Sequence, residues 1–383
     1  MDDDAMTPEG RRTDPAGGLE SGAAAAGPSL DELRQGIAEI DAALVGMLNR
    51  RASLSQAVGR LKRAGPATAE VFRPGREAEL MRRLEDLNHG PLPDSHLRAI
   101  YREIFSSSRY LQRPQRVAFL GPEGTFSHLA ARSLLGRLAS FHPQPDLDGV
   151  FQAVEAYECD IGIVPLENSQ QGSISQSFDL FMRHELFIRA ETFFRVRHSL
   201  LSRERDLASV KVLCSHPQPL AQCGAWIMKH LPRARLMPME STAAAARHAA
   251  FEPGAAAIAH VDLAPDLDLH ILAQGIEDNP GNRTRFALIG KEPADRPGTD
   301  KTSLIFAVAD KPGSLGRVLQ CLTERDINMA KLESRPMPGE AWKYVFFADL
   351  DCDIHDERYT GVLDAMADHC LSVRVLGSYP AGM

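Results

Sequence analysis

A single amphipathic stripe near the N-terminus limits most strongly the folds that this chain can adopt. Apolar residues recur at three- and four-residue steps over residues 30–61, which predicts one long helix. Ser29 is a suitable N-cap and Gly65-Pro66 a suitable end. At about 1.5 Å per residue this helix is roughly 50 Å long and cannot bury its stripe against itself. It requires partners, and two further helices are predicted, at about residues 75–88 and 94–112.

The cationic residues of this helical unit can be placed by helix geometry. Arg51 and Lys62 are eleven residues apart, so they share one face about 16 Å apart along the axis and can bracket a small dianion. Arg34 lies seventeen residues before Arg51, about 25 Å away and on a different face. If Arg34 belongs to the same site, it comes from a second chain. A solvated helix face is the alternative interpretation of these charges.

Composition excludes several classes of protein. The 383 residues suffice for two to four domains, and the net charge of -8 argues against a nucleic-acid surface. No stretch approaches the roughly 20 apolar residues of a membrane span, and the acidic start is unlike a signal peptide. Six cysteines without a CxxC pair indicate reduced thiols, so neither a zinc site nor a disulfide framework is expected. We expect a cytoplasmic protein whose residues 1–28 are disordered.

Strands and helices alternate from residue 116 to residue 290, which predicts two α/β lobes. The chain leaves the first lobe near residue 190 and returns near 284, which would place Thr284 at a hinge facing a cleft. Polar or glycine-rich segments follow predicted strands or begin one, where open α/β sheets bind ligands. These segments are GPEGTFS (121–127), VPLENS (164–169), SHPQ (215–218) and NRTRF (282–286).

Each of these segments has a functional and a structural interpretation. In NRTRF, Arg283 and Arg285 flank the Thr284 hydroxyl, and guanidinium groups bind carboxylates in bidentate fashion; a strand edge with solvated arginines is the alternative. The glycine turn is receptive to anions but is neither a dinucleotide fingerprint nor a P-loop. Asn168 is a candidate ligand or an Asx-type cap, and His216 a candidate proton carrier or a helix cap.

A linker is predicted at residues 291–301. The residues that follow it predict the order βαββαβ, which is typical of a ferredoxin-like α+β fold. The predicted strands cover about 302–309, 342–350 and 371–376, with a further strand starting at 326–328 and helices after Gly313 and at 357–368. Fold alone does not define function.

Seven residues of the helical unit resemble the all-helical chorismate mutase family. They are Arg34, Arg51, Lys62, Arg76, Glu77, Ser108 and Gln112. The resemblance implies two intertwined three-helix chains, with one arginine crossing from the partner, and a pericyclic conversion of chorismate to prephenate. It also implies that Arg34 and Arg51 hold carboxylates, Lys62 and Gln112 the ether oxygen, and Glu77 the ring hydroxyl, with Arg76 and Ser108 as further substrate contacts. Arg73 departs from the family, which has an aspartate there.

The four segments of the α/β region closely resemble prephenate dehydratases, in both order and spacing. The resemblance implies a two-lobed, periplasmic-binding-protein-like domain that converts prephenate to phenylpyruvate with loss of water and carbon dioxide. Thr284 would be the residue essential to the elimination, as a hydrogen-bond donor. The implied substrate-binding residues are Gly124, Thr125, Ser127, Glu167, Asn168, Ser169, His216, Arg285 and Phe286.

The C-terminal region resembles the ACT regulatory domains of prephenate dehydratases through two short motifs. The motif residues are Gly313, Ser314, Leu315, Glu333, Ser334, Arg335 and Pro336. They imply that L-phenylalanine binds at a subunit interface as an allosteric feedback inhibitor. A purely structural module is the alternative.

Together, the three resemblances imply a bifunctional chain of bacterial phenylalanine biosynthesis that needs no cofactor. The expected regions are a tail (1–28), a mutase (29–113), a dehydratase (114–291) and an ACT region (301–380). The chain would act on chorismate and prephenate, bind phenylalanine, and form a homodimer or a higher homo-oligomer. Two alternatives stay open: a monofunctional dehydratase whose helices only dimerise, and a non-catalytic phenylalanine sensor.

Overall fold

The computed structural model describes residues 28–64, 71–295, 299–337 and 344–382. The predicted disordered tail, apart from Pro28, lies outside these residues. The chain divides into two compact units, Met1–Arg51 and Ala52–Met383. No helix among the described residues is both long enough and apolar enough to cross a membrane.

Three helices lie in the described part of the N-terminal region, as predicted. They are α1 (Leu30–Ala64), α2 (Pro74–Asp86) and α3 (Asp94–Gln112). A reciprocal capping box begins α1: the Ser29 hydroxyl accepts from the amide of Glu32 at 3.3 Å, and the Glu32 carboxylate accepts from the amide of Ser29 at 2.7 Å. Within the first unit the apolar stripe is solvent-exposed, with Ile37 59% and Ile40 61% exposed. This exposure agrees with the prediction that the helix cannot bury its apolar stripe against itself.

The following region contains eleven strands and seven α-helices. The strands are β1 (Arg116–Leu120), β2 (Ser140–Gln144), β3 (Ile161–Asn168), β4 (Gly172–Ser173), β5 (Phe187–Arg195), β6 (Ser199–Ser202), β7 (Val212–Ser215), β8 (Arg235–Pro238), β9 (Ala255–Ala259), β10 (His270–Gln274) and β11 (Arg283–Gly290). The helices are α4 (Phe126–Leu135), α5 (Leu147–Glu155), α6 (Ser175–Arg183), α7 (Pro217–Gln222), α8 (Gly224–His230), α9 (Thr242–Phe251) and α10 (Leu263–Asp266).

These strands form two separate mixed sheets. The first has the order β2-β1-β3-β11-β5, with β4 paired to β3, and the second has the order β10-β6-β9-β7-β8. The chain passes from the first sheet to the second between β5 and β6, and it returns between β10 and β11. Thr284 therefore lies at the start of the returning strand, as predicted.

Small residues allow the second sheet and its helix to approach closely. Strand β9 is almost entirely alanine, and the buried alanines of α9, among them Ala245 and Ala246, pack in the same core cluster. Large apolar residues instead pack around the first sheet, including Phe119 of β1 and Phe151 of α5. All six cysteines are unpaired, and only Cys370 is less than fully buried.

The C-terminal region has the predicted βαββαβ order. Its elements are β12 (Lys301–Ala307), α11 (Ser314–Thr323), β13 (Met329–Pro336), β14 (Tyr344–Leu350), α12 (Val362–Ala367) and β15 (Ser372–Tyr379), and the antiparallel sheet order is β13-β14-β12-β15. The single helix predicted at 357–368 is wrong. A 3-10 turn at Glu357–Tyr359 precedes α12, because Gly361 adopts a left-handed conformation (φ 77°) that interrupts the helix.

Apolar residues join this C-terminal sheet to the first lobe. Phe347, Leu376 and Tyr379 belong to the same buried cluster as Phe178 and Leu186 of the first lobe. The Phe178 and Phe347 rings meet edge-on with centroids 4.7 Å apart. A shared core of this kind fixes the C-terminal region against the sheet that contains β3 and β11.

Candidate active site

A cavity of about 310 Å³ lies between the two lobes and is lined by residues of both. Polar residues of the four predicted segments and of neighbouring loops and helices line it. They are Thr125, Ser127, Asn168, Gln171, His198, His216, Gln218, Gln222, Glu240, Ser241, Thr242, Asn282 and Thr284. The four sequence segments therefore meet at one cleft, which is what the predicted lobe arrangement requires.

Thr284 and Asn168 face each other across the paired strands β11 and β3. The Asn168 side-chain amide donates to the Thr284 hydroxyl at 3.0 Å and to the Asn282 side-chain oxygen at 2.8 Å. Its own side-chain oxygen accepts from the backbone amides of Gln170 and Gln171, at 3.1 and 3.2 Å. These backbone donors fix the orientation of the Asn168 amide, since an oxygen must face them. The Thr284 oxygen thus accepts one hydrogen bond, and its own proton is available for another acceptor.

The glycine-rich turn places the start of α4 at the cleft. Thr125 is the N-cap: its hydroxyl donates to the Leu120 carbonyl at 2.8 Å and accepts from the amide of His128 at 3.4 Å. Gly124 has φ +87°, and a β-carbon there would lie 2.5 Å from a Leu263 side-chain carbon. Glycine is therefore required at this position both by conformation and by space. Ser127, in the first helical turn, is buried and lines the cavity.

His216 caps a helix at the cleft, and its role as a proton carrier stays a prediction. Its ring Nδ1 accepts from the backbone amide of Gln218 at 3.3 Å, which caps α7, and the residue also lines the cavity. Phe286 lines the cavity as well. Ser169 lies beside the network: its hydroxyl accepts from the backbone amide of Arg283 at 3.0 Å.

Arg285 differs from the prediction that it contacts substrate. Its guanidinium lies on the opposite face of β11, where it donates to Glu191 at 2.7 Å, Asp349 at 2.5 Å and the Tyr379 hydroxyl at 3.1 Å. The physical reason is strand alternation, because Thr284 faces the cleft and its neighbour must face away. Burial opposes the charged form, but Tyr379, Asp349 and Glu191 outweigh it and raise the pKa of Arg285. Glu167 also faces away and accepts from the Lys331 ammonium at 2.7 Å.

His198 and Gln222 line the cavity but were not predicted from the sequence. The His198 Nε2 and the Gln222 side-chain oxygen are 2.9 Å apart, and His198 is 1% exposed. Among the described residues, the His198 Nδ1 and the Gln222 Nε2 are buried atoms without a hydrogen-bond partner. Both atoms are candidates for substrate contact. Chain position could have indicated His198, because it lies between β5 and β6, where the chain crosses from the first sheet to the second.

Burial lowers the pKa of three histidines around the cleft. For His198, burial is the main cause, and it outweighs the hydrogen bond that the ring donates to Gln222. For His260, burial likewise outweighs the opposing effect of Asp262. For His128, burial and the nearby Arg132 act in the same direction. All three rings are therefore held neutral near pH 7.

The predicted mutase residues of the second unit lie on α1, α2 and α3. The Arg109 guanidinium donates to both carboxylate oxygens of Glu77 at 2.5 Å, so the acid predicted to hold the ring hydroxyl is ion-paired here. Gln112 donates from its amide to the Ser108 carbonyl at 3.1 Å, and the Ser108 hydroxyl donates to the Ile104 carbonyl at 2.8 Å. Lys62 lies in the last turn of α1. A cavity of about 540 Å³ is lined in part by Glu77 and Arg109.

The start of α2 is anchored to the end of the dehydratase-like region. The Asp295 carboxylate accepts from the backbone amides of Gly75 and Arg76, at 3.0 and 3.1 Å. Arg73, which departs from the mutase family pattern, lies 3.4 Å from the same carboxylate. In the first unit, Arg34 lies 3.6 Å from Asp31, and Arg51 is half-buried. The catalytic roles proposed for Arg34, Arg51, Lys62, Glu77 and Gln112 stay predictions.

The two ACT motifs lie at the start of α11 and along β13. Gly313 adopts a left-handed conformation (φ 80°) as the N-cap of α11, and Ser314 accepts from the Arg317 guanidinium at 3.2 Å. On β13, Glu333 accepts from the Ser173 hydroxyl at 2.8 Å, and Arg335 donates to Asp179 at 3.1 Å. Leu315, Ser334 and Pro336 complete the motifs, and their predicted role in phenylalanine binding stays a prediction.

Three family models match this chain in consecutive segments. Chorismate mutase type II matches residues 33–113, prephenate dehydratase matches 117–294, and the ACT domain matches 302–365. The three matches follow the order expected from the sequence motifs.

Curated relatives match nearly the whole chain. A bifunctional chorismate mutase/prephenate dehydratase of Neisseria gonorrhoeae is 36% identical, covering 93% of this chain and 99% of its own length. A protein of the same name from Aquifex aeolicus is 37% identical, with 92% and 98% covered. A prephenate dehydratase of Arthrobacter aurescens, solved in complex with L-Phe, has a TM-score of 0.63 and 32% identity over 69% of this chain and 90% of its own. The chain therefore belongs to the bifunctional chorismate mutase/prephenate dehydratase family.

Proposed function

We propose that this chain converts chorismate to prephenate in its helical region and prephenate to phenylpyruvate in the cleft between the two lobes. The hydrogen bond from the Asn168 amide to the Thr284 hydroxyl supports the second assignment most directly, because it leaves the threonine proton to donate into the cleft. Family membership along almost the full chain supports the pairing of the two reactions.

The dehydratase reaction requires little chemistry from the protein. The bond from the ring to its carboxylate breaks and releases carbon dioxide, and its electron pair enters the ring. The bond from the ring to the hydroxyl breaks as well, and the departing oxygen takes a proton to become water. Since aromatisation drives both steps, Thr284 need only stabilise the departing oxygen by a hydrogen bond. No cofactor enters this scheme.

Two helix starts support binding of the substrate carboxylates. Residues 125–127 at the start of α4 and residues 240–242 at the start of α9 line the cavity from opposite lobes. Helix N-termini favour anions through their unpaired backbone amides and the helix dipole. The described residues lining this cavity include no lysine or arginine, so amides and hydroxyls would replace the guanidinium groups expected from the sequence. Glu240 opposes a nearby carboxylate and would limit how closely it approaches.

Replacement of Thr284 tests the dehydratase assignment. Thr284→Val keeps the shape of the side chain and removes its hydroxyl, and we expect kcat for prephenate to fall by about 10²–10³. Thr284→Ser keeps the hydroxyl and should retain most of the rate. Conversion of chorismate to prephenate serves as the internal control and should be unchanged in both. Full prephenate turnover by Thr284→Val would overturn the assignment.

For the mutase, we propose a dimer in which Arg34 of one chain completes a site that contains Arg51 of the other. The exposed apolar stripe of the first unit supports a partner chain, because isolated stripes of this kind are unfavourable in water. Mixing Arg34→Ala and Arg51→Ala protomers tests this arrangement. Each variant alone should be inactive, whereas mixed dimers contain one intact site, so about a quarter of the wild-type rate should return. No recovery after subunit exchange would contradict the crossover.

For the C-terminal region, we propose that it binds phenylalanine at the residue 313–315 and 333–336 motifs and inhibits the dehydratase. The Arthrobacter relative was solved with L-Phe and matches 69% of this chain, and the ACT domain model matches residues 302–365. We also propose functional regions at residues 29–113, 114–291 and 301–380, with a two-lobed binding-protein-like dehydratase, a ferredoxin-like ACT fold and a cytoplasmic location. Isothermal titration with L-phenylalanine, repeated with Ser314→Ala, tests the binding site.

A further inference from the structure

Strands β3 and β11 carry a second row of side chains behind the cleft. Arg285 and Glu167 are cross-strand neighbours, immediately beside the pair Thr284 and Asn168. Since side chains alternate along a strand, the first pair lies on the face opposite the cleft. There, both side chains contact the ACT region.

The ACT region presents a matching pair to this row. Lys331 of β13 and Asp349 of β14 are themselves cross-strand neighbours in the C-terminal sheet. The Arg285 guanidinium donates to Asp349 at 2.5 Å, and the Lys331 ammonium donates to Glu167 at 2.7 Å. Each sheet therefore contributes one cross-strand pair with a positive and a negative residue, and each residue of one pair contacts the oppositely charged residue of the other.

The surrounding residues fix one half of this contact firmly. Arg285 is 6% exposed, and Glu191 and Lys301 complete a cluster of two cations and two anions around it. Ser303 donates to Asp349, and the Tyr379 hydroxyl accepts from Arg285. Buried charges with several partners tolerate little displacement, because each displaced group loses its compensation.

The other half is more exposed and lies on the strand that bears a predicted phenylalanine motif. The side chains of Lys331, Glu333 and Arg335 lie on one face of β13, and each contacts the first lobe. Lys331 donates to Glu167 and Ser173, Glu333 accepts from Ser173, and Arg335 donates to Asp179. A displacement of β13 would therefore directly change the contact between Lys331 and Glu167, the residue that precedes Asn168. The β11 register also shifts between Arg285 and Phe286, next to the contact.

We propose that Lys331 and Asp349 are positioning residues of the dehydratase: by holding Glu167 and Arg285 they fix Asn168 and Thr284, and β13 transmits the state of the ACT region to that pair. This inference rests on the function proposed for the cleft. It predicts an effect on kcat in preference to KM, because misplacement of a catalytic group by about 1 Å costs up to 10²-fold in rate.

Variants of the more exposed contact test the inference. Lys331→Met and Glu167→Gln each remove one charge, and each should lower dehydratase kcat by about fivefold or more while KM changes by less than about twofold. The double variant should be no slower than the slower single variant, since both remove the same contact. The charge exchange Glu167→Lys with Lys331→Glu should recover part of kcat. The mutase rate of the same samples should be unchanged, and Lys229→Met, an exposed lysine of α8, is the matched control.

The phenylalanine response adds a readout that a purely structural contact would leave unchanged. Lys331→Met should raise the phenylalanine concentration for half-inhibition of the dehydratase by about fivefold or more. Single variants with wild-type kcat and wild-type inhibition would overturn the inference, as would multiplicative effects in the double variant. If Thr284→Val abolishes dehydration while Lys331→Met behaves as wild type, only the positioning role is wrong. If Thr284→Val stays active, the cleft assignment and this inference fail together.

Discussion

The guanidinium of Arg109 on α3 holds the carboxylate of Glu77 on α2 through two hydrogen bonds from one nitrogen, each 2.5 Å long. Arg109 also donates to the Leu135 carbonyl at the end of α4 and lies over the Phe72 ring, 5.2 Å from its centroid. A single buried side chain thus links two helices of the mutase region to the dehydratase region. Its removal would leave the Glu77 carboxylate, 18% exposed, without this partner.

We expect Arg109→Ala to destabilise the protein by about 3 kcal/mol, because it removes a buried guanidinium that donates to both Glu77 and the Leu135 carbonyl. The matched control is Arg83→Ala, which removes an exposed i,i+4 partner of Glu79 and should cost about 0.5 kcal/mol. Urea unfolding followed by circular dichroism measures both. Equal shifts of the unfolding midpoint in the two variants would contradict the linking role of Arg109.

Asn168→Asp tests the direction of the hydrogen bond to Thr284. A carboxylate cannot donate, so the threonine proton would turn towards it and be lost to the departing oxygen. We expect dehydratase kcat to fall by about 10²-fold or more. Asn279→Asp is the control, since the exposed Asn279 uses only its oxygen, to accept from the amide of Gly281. Steady-state rates with prephenate measure both variants, and equal activity would show that Asn168 need not donate.

The sequence predicted the parts of the site that follow from strand and helix periodicity. Each of the four polar segments adjoins a strand or helix that its hydrophobic periodicity predicts, and the order of these elements brings the segments together. The segments are 121–127, 164–169, 215–218 and 282–286. Thr284 and Asn168 were found this way. The break at Gly361 was missed because a glycine inside a helical pattern is tolerated in many helices.

Side-chain direction was harder to predict than position. Arg285 and Glu167 adjoin cleft residues in sequence, yet alternation sends both to the opposite face, where partners come from residues 331 and 349. Asp349 is 64 positions from Arg285, and Lys331 is 164 positions from Glu167. No local sequence pattern can predict partners so far apart in the chain. His198 and Gln222 were missed for a similar reason, since His198 precedes β6 and Gln222 ends α7, and their proximity depends on how these elements pack.

Stability should fall in mild acid because burial holds three cleft histidines neutral. The pKa of His198 lies below its ordinary value of 6.5 in the folded protein, so the unfolded chain binds the extra proton first as pH falls. The stabilisation is complete above about pH 7 and decreases as pH falls below about 6.5. Thermal unfolding between pH 7.5 and pH 5 should show this decrease, and His198→Gln should reduce its slope. The exposed His89→Gln control should not; an unchanged slope in both would exclude His198 as a cause.

A glycine in α1 offers a way to separate the two activities. At Gly59 an added β-carbon would lie 2.8 Å from the Gln112 α-carbon and 3.2 Å from its carbonyl oxygen. These are backbone atoms and cannot rotate away, so Gly59→Ala must push the last turns of α1 from the end of α3. Because Gln112 is predicted to contact the ether oxygen of chorismate, we expect the mutase rate to fall by about tenfold or more.

The same substitution should leave the dehydratase unaffected, since the cleft residues belong to other elements. Gly90→Ala, in the segment between α2 and α3, is the control, because nothing lies within 4 Å of its added carbon. Parallel assays with chorismate and prephenate measure both activities on one preparation. Loss of both activities in Gly59→Ala would indicate general unfolding, whereas full mutase activity would show that the helices can separate at this crossing without disturbing Gln112.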